Sequence, residues 1–175
     1  VRRRMIEYAK NLDELHIIVF TTQKFSAQQF CANGWVYATN SWSKWFYVLD
    51  ALNLGKNIIA EQKISEITCQ DPFLTAMVAL KLKQKFLIPL EIQVHTDIGS
   101  PYFPYNFSNR IRQFLAERYL PQAEKIRVVS SKIKNYLIAK LRIPEERITV
   151  RPVAVDLEKI KNALITVNLH EKYPQ

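Results

Sequence analysis

The side chains best placed for chemistry sit where an apolar strand breaks into a polar loop. In Leu90-Glu91-Ile92-Gln93-Val94-His95-Thr96-Asp97-Ile98-Gly99-Ser100-Pro101 the break falls at His95. A histidine can donate, accept or carry a proton near neutral pH. Asp97 offers a carboxylate, either as a base or acceptor-hydroxyl partner or as a loop group that bonds nearby backbone. Ligands of open α/β sheets bind beyond the carboxyl ends of the strands. Thr96, Gly99 and Tyr102 therefore belong to the same candidate region. Two ligands leave most of a metal shell unfilled, and no Ser-His-Asp triad is recognisable. From the residues alone, a hydrogen-bonded structural histidine is the simpler reading of His95.

Strands and helices must bring this region into place. Met5, Tyr8, Ala9 and Leu12 share one face of a helix from Arg3 to Leu12. Leu15 to Phe20 is a continuous apolar run, short enough for a buried strand. Thr21 to Asn33 reads as loop and Trp35 to Ala38 as a strand. Ser41 or Ser43 can cap a long helix to about Ala60, weakened at Gly55 by roughly 1 kcal/mol relative to Ala. Ile64 to Cys69 is the next strand. Asp71 can cap the following helix with Pro72 in its first turn, ending near Phe86. After the strand before His95, Asn106 or Ser108 caps a helix to Leu120. Lys125 to Val129 is a strand, and Ser130 caps the helix Ser131 to Leu141. Arg147 to Arg151 is the last strand, and Asp156 caps a short helix to about Leu164. The alternation predicts an α/β fold, a Rossmann-like, mostly parallel sheet with helices on both faces.

Bulk properties set limits. The chain has 175 residues, of which 48% are hydrophobic and 23% charged, enough for one domain with a core and against disorder. No apolar run reaches the ~18 residues needed to span a bilayer, and no signal-peptide pattern opens the chain. A cytoplasmic protein is expected. The first residue is Val1, as in a fragment, a processed form or a trimmed chain. Cys31 and Cys69 lack metal or disulfide spacing and read as inert. The net charge of +9, from 25 basic and 16 acidic residues, favours anionic partners without choosing among them.

Gln70-Asp71-Pro72-Phe73, Val94-His95-Thr96-Asp97, Val128-Val129-Ser130-Ser131 and Val153-Ala154-Val155-Asp156 follow one another in a telling order. Through them the chain resembles the N-terminal half of the family 4 glycosyltransferases, which have the GT-B fold. The opening Arg2-Arg3-Arg4-Met5-Ile6-Glu7-Tyr8-Ala9 looks like the first helix of that half. The resemblance spans essentially all of the chain. It implies residues 1–164 as the acceptor-side domain and 165–175 as a linker toward an absent C-terminal, donor-binding domain. It also implies retaining transfer of a sugar from a nucleotide-sugar donor to a glycan or lipid-linked acceptor, usually without a metal or other cofactor. His95 matches the cleft histidine that contacts the transferred sugar. By the same resemblance Asp71, Thr96 and Asp97 sit on cleft-facing loops, and Ser130 and Ser131 begin a helix whose free amides can face the ligand; with Gly99 and Tyr102 on the adjoining loop they make up the expected substrate-binding residues. The family's opening strand and its Gly-rich loop are missing, so two central strand edges must lack a partner or meet directly. Without the second domain, the chain alone is expected to be inactive.

A different class remains beside this one: a non-catalytic Rossmann-like module with a basic surface for nucleotide, nucleic acid or anionic membrane. Nucleic acid is the less expected partner. Trp35, Tyr37, Trp42, Trp45, Phe46 and Tyr47 read mainly as core. Tyr102, Phe103, Tyr105 and Phe107 read equally as a stacking surface for a sugar or lipid and as packing under the loop. Helical lysines such as Lys81, Lys83, Lys85, Lys132, Lys134 and Lys140 suggest peripheral association with the inner face of a membrane through anionic lipid. His16 and His170 have no nameable partners.

Overall fold

Helices and strands alternate along residues 2–152 and 161–162, the part of the chain that the computed structural model describes. Helix α1 (Arg2–Ala9) precedes strands β1 (Leu15–Val19), β2 (Gln28–Cys31) and β3 (Gly34–Ala38). A 3-10 turn, Lys44–Phe46, enters α2 (Tyr47–Glu61). Then come β4 (Ile67–Cys69), α3 (Leu74–Phe86), β5 (Leu90–Val94), α4 (Phe107–Tyr119), β6 (Lys125–Val128), α5 (Ser131–Leu141) and β7 (Ile148–Val150). The Val153–Asp156 motif, the helix expected to Leu164, His170 and the 165–175 linker lie outside the described residues.

The strands β4-β5-β6-β7 form a parallel sheet in that order. Side chains alternate across a strand, so its two faces differ. Leu90, Ile92 and Val94 of β5 point to one face and are fully buried. Ile126, Val128 and Ile148 join them, and Ala76, Ala79 and Leu80 of α3, Ala116 of α4, and Ile133 and Leu137 of α5 complete that core. The other face is polar. Gln93 Nε2 donates to Thr68 Oγ1 at 3.1 Å, the Arg127 guanidinium donates to Gln93 Oε1, and Arg127 lies 4.0 Å from the Glu91 carboxylate. Parallel βαβ units flanked by helices make this a Rossmann-like α/β fold.

The first three strands form a separate sheet, ordered β1-β3-β2. β1 and β3 are parallel, while β2 and β3 form an antiparallel hairpin. β2 lies inside the stretch expected to be loop. The hairpin turns through Ala32-Asn33, between Cys31 and Gly34. The Asn33 side-chain amide also donates to the carbonyls of Ala9 and Leu12, at 2.8 and 2.7 Å, fastening the hairpin to the end of α1. β1 is half-buried, not fully buried as its unbroken apolar run suggests, because it pairs on one side only.

β4 is likewise paired on one side only. Of the two outcomes expected for these inner edges, the unpartnered one is observed. The sheets are joined through side chains instead. Ile18 and Phe20 at β1, and Ile67 of β4, pack on a shared cluster of Ala51, Leu52, Val78 and Leu82 from α2 and α3. Gly55 now has a reason: a Cβ there would strike Leu82, so its absence lets α2 and α3 approach. The caps differ from expectation at α2, where Ser43 makes no side-chain cap and the Ser41 hydroxyl is buried without a partner. The aromatics differ as well. Trp35 and Tyr37 are half-buried and stack with His16, whose ring nitrogens meet Tyr37 Oη and Glu14, both at 3.1 Å. Trp42 and Trp45 are not core at all; they stand in solvent. A 3-10 turn has about three residues per turn, so helical periodicity projected from α2 loses phase across Trp45.

Unpaired edges present free amides and carbonyls to other chains. Purified 175-residue chain is expected to self-associate with rising concentration in sedimentation velocity runs. A clean monomer with a sharp, high melting transition would contradict this.

Candidate functional site

Register decides which loops meet. Cys69 aligns with Ile92, and Val94 aligns with Val128. The carboxyl ends of β4, β5 and β6 therefore finish at one rim, and Asp71, His95 and Ser130 all lie just past it. The Phe73 and Phe103 rings stack with centroids 6.4 Å apart, joining the loop after β4 to the loop after β5.

His95 continues the alternation of Glu91 and Gln93 and so leaves the sheet on its polar face. Its side chain reaches solvent. Its pKa is pushed below the ordinary 6.5, first by partial burial, then by the positive charges of Arg127 and Arg4. Burial and like charge both disfavour the imidazolium. His95 is therefore a neutral imidazole at neutral pH, with one nitrogen to donate and one to accept.

The loop beyond it is held by α4 and α5. Ile98 is fully buried as its anchor. The Ile98 carbonyl accepts from Gln113 Nε2 at 3.2 Å. Tyr136 of α5 lies flush against Gly99, where a Cβ would fall inside the ring's van der Waals envelope. The Tyr136 hydroxyl donates to Glu117 at 2.8 Å. Asp97 is neither a free base nor bonded through its carboxylate to local backbone. It pairs with Lys132 Nζ at 2.8 Å, in the first turn of α5. Thr96 is exposed, and Tyr102 is 83% exposed beyond it. Tyr105 and Phe107 also face solvent, whereas Phe103 packs inward on the core. Of the aromatic loop, Phe103 takes the packing role, and the other three rings are exposed.

Ser130 caps α5, its Oγ accepting from the Ile133 amide at 3.3 Å. Ser131 opens that helix and is exposed. Asp71 Oδ1 accepts from the Phe73 amide at 2.8 Å, and its carbonyl accepts from Thr75 Oγ1 at 2.9 Å. Asp71 thus closes a turn, and α3 starts at Leu74, later than expected. Buried Cys69 has its thiol pushed up to about 12, first by burial and then by Asp71, so it stays protonated and inert.

Arg127, Arg4, Tyr136 and Lys132 also surround the site, although the motifs do not include them. Arg127 was readable in principle, since pairing β5 with β6 puts it opposite Gln93. Among the described residues, no three His, Cys, Asp or Glu side chains converge as metal ligands. A cavity of about 410 Å³ lined by Lys83, Gln84, Leu87, Ile88, Pro89 and Glu124 lies before the start of β5, at the opposite end of the sheet from His95.

The family model for Glycosyltransferase Family 4 matches residues 1–159. The chain belongs to this family. No curated protein matches the sequence. Among solved structures, the UDP-GlcNAc 2-epimerase from Methanocaldococcus jannaschii is similar to the chain at 16% identity and a TM-score of 0.49. The match covers 66% of this chain and 30% of that one, so the chain spans under a third of its solved relative. No helix among the described residues is long and apolar enough to cross a membrane.

Two outcomes follow from this geometry. Gly99→Ala should destabilise the fold by about 1–3 kcal/mol through overpacking against Tyr136, measured by denaturant melts. The His95 imidazole should titrate below 6.5 by NMR, and Arg4→Gln should move it upward. Between those pH values the unfolded chain binds a proton at His95 that the folded chain does not. His95 therefore contributes a loss of stability as pH falls below 6.5. A midpoint at or above 6.5 would contradict the arrangement.

Proposed function

We propose that the chain is the acceptor-side half of a retaining glycosyltransferase of family 4. The donor is a nucleotide sugar held mainly by a second, C-terminal domain. The acceptor is a glycan or a lipid-linked glycan, bound at the rim formed by β4, β5 and β6. In the reaction the bond from the anomeric carbon to the nucleotide phosphate breaks. A bond to an acceptor hydroxyl forms with the same configuration, and the hydroxyl releases its proton. No metal is required in this reading. The protein is cytoplasmic, at or near the inner face of the membrane.

One observation carries the site assignment: a solvent-reaching His95 stands at the carboxyl end of the central strand pair, its pKa lowered by partial burial and by the charges of Arg127 and Arg4. A neutral imidazole has one nitrogen to donate and one to accept, which suits hydrogen bonds to a sugar or acceptor hydroxyl. Tyr102, exposed beside it, can stack on a sugar ring or an acceptor's apolar part. Thr96 and Ser131 offer hydroxyls to the same rim. Asp97, paired with Lys132, positions the loop, and Asp71 and Ser130 hold the backbone turns through which the rim meets substrate.

His95→Ala in the complete enzyme should lower turnover by about 10- to 100-fold, a loss of about 1.4–2.7 kcal/mol in transition-state stabilisation. The melting curve should be unchanged, because His95 is exposed. Full activity in this variant would reject the role. Turnover by the 175-residue chain alone at roughly 1 per second or more would reject the need for a second domain.

A further inference from the structure

The outer face of α4 carries an apolar seam that the fold does not use. Phe107, Ile111 and Phe114 are 78%, 44% and 64% exposed. Arg118, exposed as well, continues the same row. Steps of four, three and four residues keep these side chains on one stripe, the pattern by which a helix meets another helix. The inner face of α4 holds the fold instead: Ala116 is fully buried, and Gln113 donates to the Ile98 carbonyl.

We propose that this seam joins two copies of the chain, α4 running antiparallel to α4 of the second copy about a two-fold axis. A closed two-fold dimer uses the same patch twice, so the patch must complement itself. Setting Ile111 against the partner's Phe114 brings Phe107 level with the partner's Arg118, where a guanidinium can lie over the ring. Arg110 and Glu117 are seven residues apart and so share one flank of the seam. Like flanks face each other in an antiparallel pair. In this register Arg110 comes within about half a turn of the partner's Glu117.

Charge selects this occupant and this direction. Arg110 and Arg118 have no ion-pair partner among the described residues. Glu117 takes the Tyr136 hydroxyl on Oε1, which leaves Oε2 for a second donor. A parallel, in-register pair would set Arg118 against the partner's Arg118 and repel. Both signs along one flank complement a second copy, and an anionic bilayer would leave Glu117 facing like charge. The seam runs for about three turns, so the dimer should be weak and dissociate in the micromolar range. The pairing does not depend on sugar transfer, since association is measured without donor or acceptor.

The test is sedimentation velocity of the full 175-residue chain over a micromolar concentration series. A monomer–dimer equilibrium is expected. Phe114→Glu should weaken it by about tenfold or more. Arg110→Glu sets two carboxylates together and should weaken it too. Both positions are exposed, so the melting curves should not move. Disulfide trapping reads the register, with the half-buried Cys31 replaced by Ser throughout. Chains carrying Ile111→Cys mixed with chains carrying Phe114→Cys should cross-link faster than either variant alone. Association unchanged by Phe114→Glu would overturn the proposal, and is the result that pairing through the free edges of β1 and β4 would give. A monomer across the whole series would also overturn it, as would a mixture that cross-links no faster than its single components.

Discussion

The central constraint is the pairing of β5 on both of its sides while Leu90, Ile92 and Val94 are sealed in the core. Burying such side chains is worth about 1.5–3 kcal/mol each. Neighbouring strands fix their register, and a slip of one residue would turn the apolar set toward the polar face. His95 inherits its position from this. It is the first residue past the strand, and alternation places it with Glu91 and Gln93 above Arg127. The chemistry of the rim thus rests on packing several ångströms below it.

Two kinds of polar work sit on that frame. On the sheet's polar face, Thr68, Glu91, Gln93 and Arg127 satisfy one another across three strands. This leaves a guanidinium beside His95, where its charge disfavours a second cation. Above the sheet, Gln113, Glu117, Tyr136 and Lys132 hold the loop that follows. Gly99 is needed because the Tyr136 ring occupies the space of a side chain. Two helices thereby set the loop's course, while Thr96 and Tyr102 remain open to solvent.

Much of the fold was legible because its signals are local. Asn106 and Ser130 cap α4 and α5, as their positions before apolar helical periods require. Asp71-Pro72 begins a helix through a local carboxylate-to-amide bond, although the helix starts later than Pro72 suggests. β2 was hidden because its Gln-rich, weakly alternating residues look like loop, and the two-residue turn at Ala32-Asn33 carries no hairpin dipeptide in its central positions. Trp45 was misplaced because it lies in a 3-10 turn and not in the helix whose period assigned it inward, and Trp42 precedes that turn. The pairing of Asp97 with Lys132 was not legible, since the two residues are distant in sequence and meet through the parallel crossover.

By itself the sequence determined the order of strands and helices, the break at His95, and the motif series that belongs to family 4, because each depends on neighbours a few residues away. Only the tertiary structure decided that Asp71, His95 and Ser130 share a rim, that partial burial and then Arg127 and Arg4 lower the His95 pKa, and that two tryptophans face solvent. Those outcomes depend on register, strand order and burial. They are set by contacts between segments far apart in the chain, where summed packing energy, and not local preference, chooses the arrangement.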